Sequence, residues 1–138
     1  MKKLIAGLFT AILTTAGFVA VTSATPASAA CTSYVCIPTA TKATPAPKTI
    51  KAGKAAKVKV AVTVRGNATV RGSVTVTATG PGGFRKTFRL AYNNRPVTGS
   101  LGKLRKPGKY KVTATYTGVE GFRNSTGKSV ITVKKKKR

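Results

Sequence analysis

The sequence has very few side chains that can carry out acid–base or metal chemistry. Its 138 residues include no histidine, no tryptophan, two cysteines and a single acidic residue, Glu120. General acid–base catalysis normally uses a histidine or a tuned carboxylate, and metal sites need clusters of histidine, cysteine or carboxylate ligands. We therefore expect a binding or structural protein that has no catalytic residue, no metal site and no cofactor.

Residues 1–30 have the pattern of a secretory signal peptide. Lys2 and Lys3 precede an apolar run over residues 4–21, and small residues follow at positions 27–30. This order of basic, apolar and small residues is typical of export signals. An uncleaved membrane anchor is the alternative, although threonines and a glycine dilute the apolar run and Pro26 follows it. We predict cleavage near Ala29 and Ala30, which makes the protein secreted or associated with the cell surface.

The two cysteines, Cys31 and Cys36, lie directly after the predicted cleavage site. Export would bring them into a compartment where disulfides persist, so we expect them to pair. A loop this short contributes only about 2 kcal/mol to stability and would staple a local turn. A lipidated Cys31 is the alternative, although Ser28 stands where such sites usually have leucine.

The rest of the chain divides into a linker, one domain and a basic tail. Residues 31–47 contain the cysteine loop followed by a segment rich in proline, threonine and alanine, which we interpret as an extended linker. Residues 48–134 have the length of one domain, and residues 135–138 are all basic. The sequence shows no internal repeat, and we expect a monomer.

Residues 48–134 show the period-two alternation of half-buried strands, and no helical period is present. In the clearest run, Val58, Val60 and Val62 alternate with polar or small residues. Glycine, proline and asparagine clusters separate about seven such runs, which lie at residues 49–51, 57–65, 70–79, 84–92, 97–104, 110–117 and 129–134. Short strands at this spacing predict an all-β immunoglobulin-like sandwich of two antiparallel sheets, with the valine, phenylalanine and tyrosine side chains in its core.

Two positions in these runs carry specific expectations. Lys86 interrupts an otherwise apolar face that contains Phe84 and Phe88, so we expect its strand to lie at a sheet edge or to contain a bulge. Tyr110 begins the penultimate strand directly after a Pro-Gly turn. Its hydroxyl could bond back to that turn, as in a tyrosine corner.

Several motifs of residues 48–134 resemble the bacterial immunoglobulin-like repeat domains. They are Lys51-Ala52-Gly53-Lys54, Gly72-Ser73-Val74-Thr75-Val76, the run from Lys106 to Gly118, and Phe122-Arg123-Asn124-Ser125. The resemblance implies a sandwich fold and a spacer or adhesive role on an exported protein. The chain departs from the family pattern at Val119, which follows Gly118 where aspartate is usual, and in holding a single copy.

Positive charge is the most informative feature of the composition. The chain has 26 lysines and arginines, a formal net charge of +25 and an isoelectric point near 11.2. Solubility alone is one explanation, but acidic residues serve solubility at least as well. Clusters of like charge attract phosphate or carboxylate polymers. We therefore predict polyanion binding by a set of clustered bases: Lys57, Lys59, Arg65, Arg85, Arg89, Lys103, Arg105, Lys106, Lys109, Lys134, Lys135, Lys136, Lys137 and Arg138.

The expected partners are anionic cell-wall polymers, acidic polysaccharide or lipid head groups. Extracellular DNA is an alternative, but nucleic-acid recognition favours exposed aromatic side chains, and the alternation assigns most of these to the core. A cationic antimicrobial protein is another alternative, although the sequence lacks an amphipathic basic helix. A plain structural or adhesive module with no specific polyanion partner also fits the composition.

Overall fold

The structure, a computed structural model, describes residues 36–119 and 121–136. Within these residues the chain forms eight strands, one short 3-10 helix and no α-helix. The strands are β1 (Thr39–Ala46), β2 (Thr49–Lys51), β3 (Ala55–Val64), β4 (Arg71–Gly80), β5 (Phe84–Asn93), β6 (Val97–Lys103), β7 (Gly108–Gly118) and β8 (Ser125–Lys134), and the 3-10 helix is Pro81–Gly83.

The strands form two sheets that pack face to face. One sheet has the order β1-β3-β6 and the other has the order β2-β8-β7-β4-β5. All pairs are antiparallel except β2 with β8, which run parallel. The chain changes sheets between β1 and β2, β2 and β3, β3 and β4, β5 and β6, and β6 and β7. This arrangement is an immunoglobulin-like sandwich, and the predicted fold class is confirmed.

Alternation along the strands explains which side chains form the core. On β3, Ala56, Val58 and Val60 are fully buried, whereas Lys57 and Lys59 between them are exposed. The same period holds on β4 and β7. The core consists of the inward side chains of both sheets: Ala43, Ile50, Ala56, Val58, Val60, Val62, Val70, Val74, Val76, Ala78, Tyr92, Leu101, Leu104, Tyr110, Val112, Ala114, Tyr116, Ile131 and Val133.

Tyr92 ties the two sheets together through its hydroxyl. The ring is buried from β5, and the hydroxyl accepts a hydrogen bond from the Val62 N–H (2.9 Å) and donates one to the Val62 carbonyl (3.1 Å). The β3–β6 ladder ends at the pair Val60 and Val97, so this hydroxyl satisfies backbone groups just beyond the last paired residue. A buried backbone group without such a partner would destabilise the fold.

Tyr110 forms the predicted tyrosine corner at the start of β7. Its hydroxyl donates a 2.8 Å hydrogen bond to the carbonyl of Lys106 in the preceding turn. The Phe84 ring meets the Tyr110 ring edge to face, with centroids 5.2 Å apart. Gly80 lies under the same ring, and a Cβ atom at that position would collide with it, so the sequence requires glycine there.

The segment interpreted as a linker contains a strand, so the domain starts earlier than position 48. β1 pairs with β3 over eight residues, from Thr39 opposite Val64 to Ala46 opposite Lys57. Pro45 is compatible with this pairing because β1 is an edge strand, where a residue without an N–H need not break a ladder. The prediction of seven strands is corrected to eight, since proline content alone does not exclude an edge strand.

The interpretation of Lys86 as an edge-strand residue is confirmed. β5 is an outer strand of the five-stranded sheet, and Lys86 is exposed on it. Phe84 and Phe88 are only partly buried, although they pack against the core. A lysine at an edge hinders pairing with a second sheet, so β5 is protected against edge-to-edge association.

The predicted signal peptide, Cys31, Glu120, Lys137 and Arg138 lie outside the described residues. The expected pairing of Cys31 with Cys36, and its alternative, the lipidation of Cys31, therefore remain predictions. In the part of the chain that the structure describes, no helix has the length and hydropathy that crossing a membrane requires.

Candidate polyanion-binding surface

Every lysine and arginine in the described part of the chain is exposed. These number 22, which is the 26 of the sequence less Lys2, Lys3, Lys137 and Arg138. Residues 36–119 and 121–136 contain no carboxylate side chain, so none of these bases has an ion-pair partner among them. Only Arg89 uses its side chain in a hydrogen bond within this set, a 2.7 Å contact to the Ser73 Oγ. The fold therefore leaves almost all of its cations in solvent.

Strand direction determines where these bases gather. β3, β5 and β7 all start at one end of the sandwich, and β4, β6 and β8 end there. Lys103 at the end of β6 faces Ala55 at the start of β3, and Gly108 at the start of β7 faces Val133 near the end of β8. Three turns and the last residues of β8 consequently meet at this end.

We call this region the basic end, because it carries nine of the 22 exposed bases. They are Lys51, Lys54, Lys103, Arg105, Lys106, Lys109, Lys134, Lys135 and Lys136. The C-terminal tail, including Lys137 and Arg138 of the sequence, follows directly from Lys136. Among the described residues, the first tail bases, Lys135 and Lys136, therefore follow directly from the strand end that meets the turn bases.

Backbone hydrogen bonds join the turns of the basic end. The Gly53 N–H donates to the Leu104 carbonyl (2.7 Å), and the Leu104 N–H donates to the Lys54 carbonyl (3.0 Å). The Ala52 N–H donates to the Lys134 carbonyl (2.9 Å). Since the side chain of Leu104 is fully buried between these turns, the backbone beneath the lysines is held by apolar packing and main-chain bonds. The lysine side chains themselves are not needed to close these turns.

Sequence reasoning identified most of this surface and missed part of it. The predicted turn cluster, from Lys103 to Lys109, and the predicted tail residues, from Lys134 to Lys136, do come together. Lys51 and Lys54 were not predicted. They belong to the same surface because Lys51 pairs with Lys134 across the parallel β2–β8 ladder. The sequence does contain the Lys51-Ala52-Gly53-Lys54 turn. Strand alternation, however, does not reveal which residues lie next to this turn in space.

The remaining predicted bases lie elsewhere on the molecule. Lys57 and Lys59 project from the outer face of the three-stranded sheet, and Arg85 and Arg89 project from the outer face of the five-stranded sheet. Arg65 follows the far end of β3. Because the two sheets face opposite directions, Lys57 and Lys59 lie on the opposite outer face from Arg85 and Arg89.

All six aromatic side chains of the described residues are buried or partly buried: Phe84, Phe88, Tyr92, Tyr110, Tyr116 and Phe122. Within the same residues no group of three or more His, Cys, Asp or Glu side chains could hold a metal ion. Burial raises the pKa of Tyr116, with a smaller contribution from Tyr92, and its hydroxyl donates a 2.6 Å hydrogen bond to the Arg71 carbonyl. The exposed polar side chains of the described residues are therefore lysine, arginine, serine, threonine and asparagine.

Comparisons with known proteins give a structural likeness and no family. No protein-family model matches the sequence, and no curated protein matches it. Among solved structures, the chain is similar to the CARDB domain of the PF1109 protein from Pyrococcus furiosus, which was solved in complex with di-metal ions. The two share 18% identity at a TM-score of 0.49, over 74% of this chain and 97% of that domain.

Proposed function

We propose that the protein is an exported, non-enzymatic immunoglobulin-like module that binds anionic polymers of the cell envelope through its basic end and C-terminal tail. The observation that carries the proposal is the gathering of nine exposed bases at the end from which the tail departs. No carboxylate side chain among residues 36–119 and 121–136 offsets them. The resemblance to bacterial immunoglobulin-like repeat domains supports the same placement outside the cell.

The electrostatics of this end favour a polymer over a small ion. In an extended chain, the neighbouring bases of residues 134–138 would be about 3.5 Å apart, well within the screening distance of about 8 Å at physiological salt. Such charges repel one another strongly and hold a condensed layer of counterions. A polyanion relieves the repulsion at several positions at once, whereas a single small anion relieves it at only one.

A wall polymer or acidic polysaccharide fits the surface better than a nucleic acid does. Single-stranded nucleic acids gain affinity by stacking bases on exposed aromatic rings, and every described aromatic side chain here is at least partly buried. An exported protein also meets envelope polymers first. Nucleic-acid binding, antimicrobial action and a purely structural role are therefore the alternatives that the experiment has to separate.

The test is the salt-dependent retention of the protein on washed cells and on purified wall polymer. We expect retention at low salt and release at moderately high salt. Replacing Lys135, Lys136, Lys137 and Arg138 by glutamine keeps the chain length and should lower the log–log salt slope by up to about 2.8, at about 0.7 per contact on a flexible chain. Lys134 stays in place because it is the last residue of β8, so the variant changes only bases that follow the strand.

Three outcomes distinguish the alternatives. Recovery of the protein in the medium at every ionic strength would contradict envelope binding. Preference for DNA over wall polymer at equal charge would favour the nucleic-acid alternative. Binding with an unchanged slope in the tail variant would move the contact away from the tail. A variant with Arg65 and Arg95 replaced by glutamine serves as a control, because both residues lie away from the basic end.

A further inference from the structure

A groove of about 400 Å³ opens on the side of the sandwich, between β1 and β8. It forms where the chain leaves β1 in one sheet and joins β2 in the other. β2 pairs with β8 only from Thr132 to Lys134, so no described strand pairs with that edge of β8 over residues 125–131. The groove is lined by Lys42, Ala43, Thr44, Pro45, Lys48, Ser129 and Val130.

The β8 backbone presents hydrogen-bonding groups to this side. The Thr132 N–H donates to the Lys48 carbonyl (2.9 Å), and the Lys134 carbonyl accepts from Ala52. Backbone groups of a strand point alternately to its two neighbours, so every second residue faces the same way. The N–H and C=O of Val130 therefore face the side on which β2 lies, at a level where no described strand pairs with β8.

Ser129 supplies an unusual hydroxyl at the groove wall. Among the described residues, its Oγ is the only buried side-chain nitrogen or oxygen atom that lacks a hydrogen-bond partner. An unsatisfied buried polar atom costs about 1–3 kcal/mol, which an alanine at the same position would avoid. Rotation about the Cα–Cβ bond redirects the hydroxyl, so a ligand in the groove could provide the missing partner.

The charges and the apolar lining define what kind of ligand fits. Lys42 and Lys48 are exposed and have no carboxylate neighbour in the described chain. Two lysines and no arginine line the groove, and a phosphate monoester, which carries a charge of about −1.5 to −2 at neutral pH, can neutralise both lysines, whereas a single carboxylate carries only one charge. The side chain of Val130, which is 47% exposed, offers an apolar surface for C–H groups, whereas Ala43 and Pro45, which also line the groove, are buried.

We propose that this groove binds a phosphorylated polyol or sugar unit, with Lys42 and Lys48 holding the phosphate and Ser129 and the Val130 N–H hydrogen bonding to it. The choice of ligand rests on the proposed binding of envelope polymers, since these carry such units. The groove would then bind one repeat unit of the polymer, and the basic end would bind the rest of the polymer through charge. Affinity for the polymer would come mainly from charge, and specificity for its repeat unit from the groove.

The experiment is a titration of the 15N-labelled protein, purified after expression of the full chain, with glycerol phosphate at constant ionic strength. We expect saturable shifts confined to the amides of residues 42–48 and 128–132, with Val130 among the largest. Inorganic phosphate should bind the same residues more weakly, and glycerol alone should not bind. Glucuronate, as the carboxylate probe, should bind at least about tenfold more weakly than glycerol phosphate.

Two variants and a matched control make the test specific. The Lys42→Gln/Lys48→Gln variant should weaken binding by about tenfold or more. Ser129→Ala should weaken it about threefold without lowering thermal stability, because it removes an unpartnered hydroxyl. The control, Arg71→Gln/Arg95→Gln, removes the same charge from the opposite end of the sandwich and should leave the affinity unchanged.

Shifts spread over all surface lysines, or equal losses in the Lys42/Lys48 and Arg71/Arg95 variants, would overturn the groove and indicate diffuse charge attraction. Stronger binding of glucuronate would overturn the choice of phosphate. The polymer retention assay is run on the same variants. Retention without a glycerol phosphate site would refute only the groove, whereas a working groove without retention would refute only the proposed function.

Discussion

The two ends of the sandwich each contain three strand connections, yet their charge and their hydrogen bonding differ. The basic end carries nine exposed bases, and the opposite end carries four, Arg65, Arg71, Arg95 and Arg123. At the opposite end, side chains close the turns: the Asn94 and Asn124 side-chain carbonyls accept the N–H groups of Val70 (3.2 Å) and Gly118 (3.1 Å). At the basic end, backbone bonds and the Tyr110 corner do so.

The difference shows which side chains the fold needs. Asparagine at the opposite end contributes directly to turn structure, so those positions are constrained by folding. The lysines of the basic end form no side-chain hydrogen bond within the described residues, so folding leaves their identity open. The proposed polymer binding would account for a cluster of bases that folding does not require, and changing each end separately tests the comparison.

The largest expected effect follows from removing charge at the basic end. The variant carries Lys103→Gln, Arg105→Gln, Lys106→Gln and Lys109→Gln. If all four contact polymer phosphates, the log–log salt slope should fall by about 2.8, and affinity at physiological salt by on the order of a hundredfold. Polymer binding measured across a salt series with each variant checks this result.

The matched control for that variant removes four charges from the opposite end, through Arg65→Gln, Arg71→Gln, Arg95→Gln and Arg123→Gln. Because net charge is equal in the two variants, long-range attraction is reduced equally. We expect the control variant to keep most of the log–log salt slope of the unmodified protein. Equal slopes in the two variants would show that net charge matters and that its position does not.

The next effect concerns stability and compares the two structural tyrosine hydroxyls. Tyr92→Phe should lower the free energy of unfolding by about 2–3 kcal/mol, because it leaves both the N–H and the carbonyl of Val62 buried without partners. Tyr110→Phe should cost about 1 kcal/mol, since the Lys106 carbonyl is in a partly buried turn that water can reach. Urea denaturation of both variants measures the difference, and a larger loss for Tyr110→Phe would reverse this ranking.

The smallest expected effect is a pH dependence of stability caused by Tyr116, which lies toward the opposite end of the sandwich. Burial raises the pKa of Tyr116 above its usual value of 10.0. The unfolded chain therefore loses this proton first as pH rises, so stability is complete below pH 10 and declines as pH passes from 10 through the folded pKa. Tyr116→Phe should flatten that decline relative to the unmodified protein, as measured by denaturation at several pH values. Parallel profiles would exclude the contribution of Tyr116.

Much of the fold was predictable because strand alternation is a local property. The inward valines of β3 and the exposed lysines between them follow directly from period two. The Tyr110 corner was also predictable, since the tyrosine and its acceptor, Lys106, are four residues apart. β1 was not, because Pro45 and the small residues around it carry no strand signal until β3 provides a partner.

The candidate site was predictable only in part, for a similar reason. Turn bases from Lys103 to Lys109 are close in sequence, so their cluster was visible. Lys51 and Lys134 are far apart in sequence, and they become neighbours only through the parallel β2–β8 pairing. The groove beside Ser129 was invisible for the same reason, because it lies between segments of two different sheets.

Composition and alternation by themselves determined that this chain is rich in cations, poor in acid–base groups and built from strands with one apolar face. Composition is a property of single residues, and alternation is a property of near neighbours in the chain. Which bases share one end of the molecule, and which edge of β8 stays without a paired strand, was decided only by the tertiary structure. Strand order brings together residues that are far apart in the chain and carry no local signal, so the proposed binding surface forms only once the two sheets have packed.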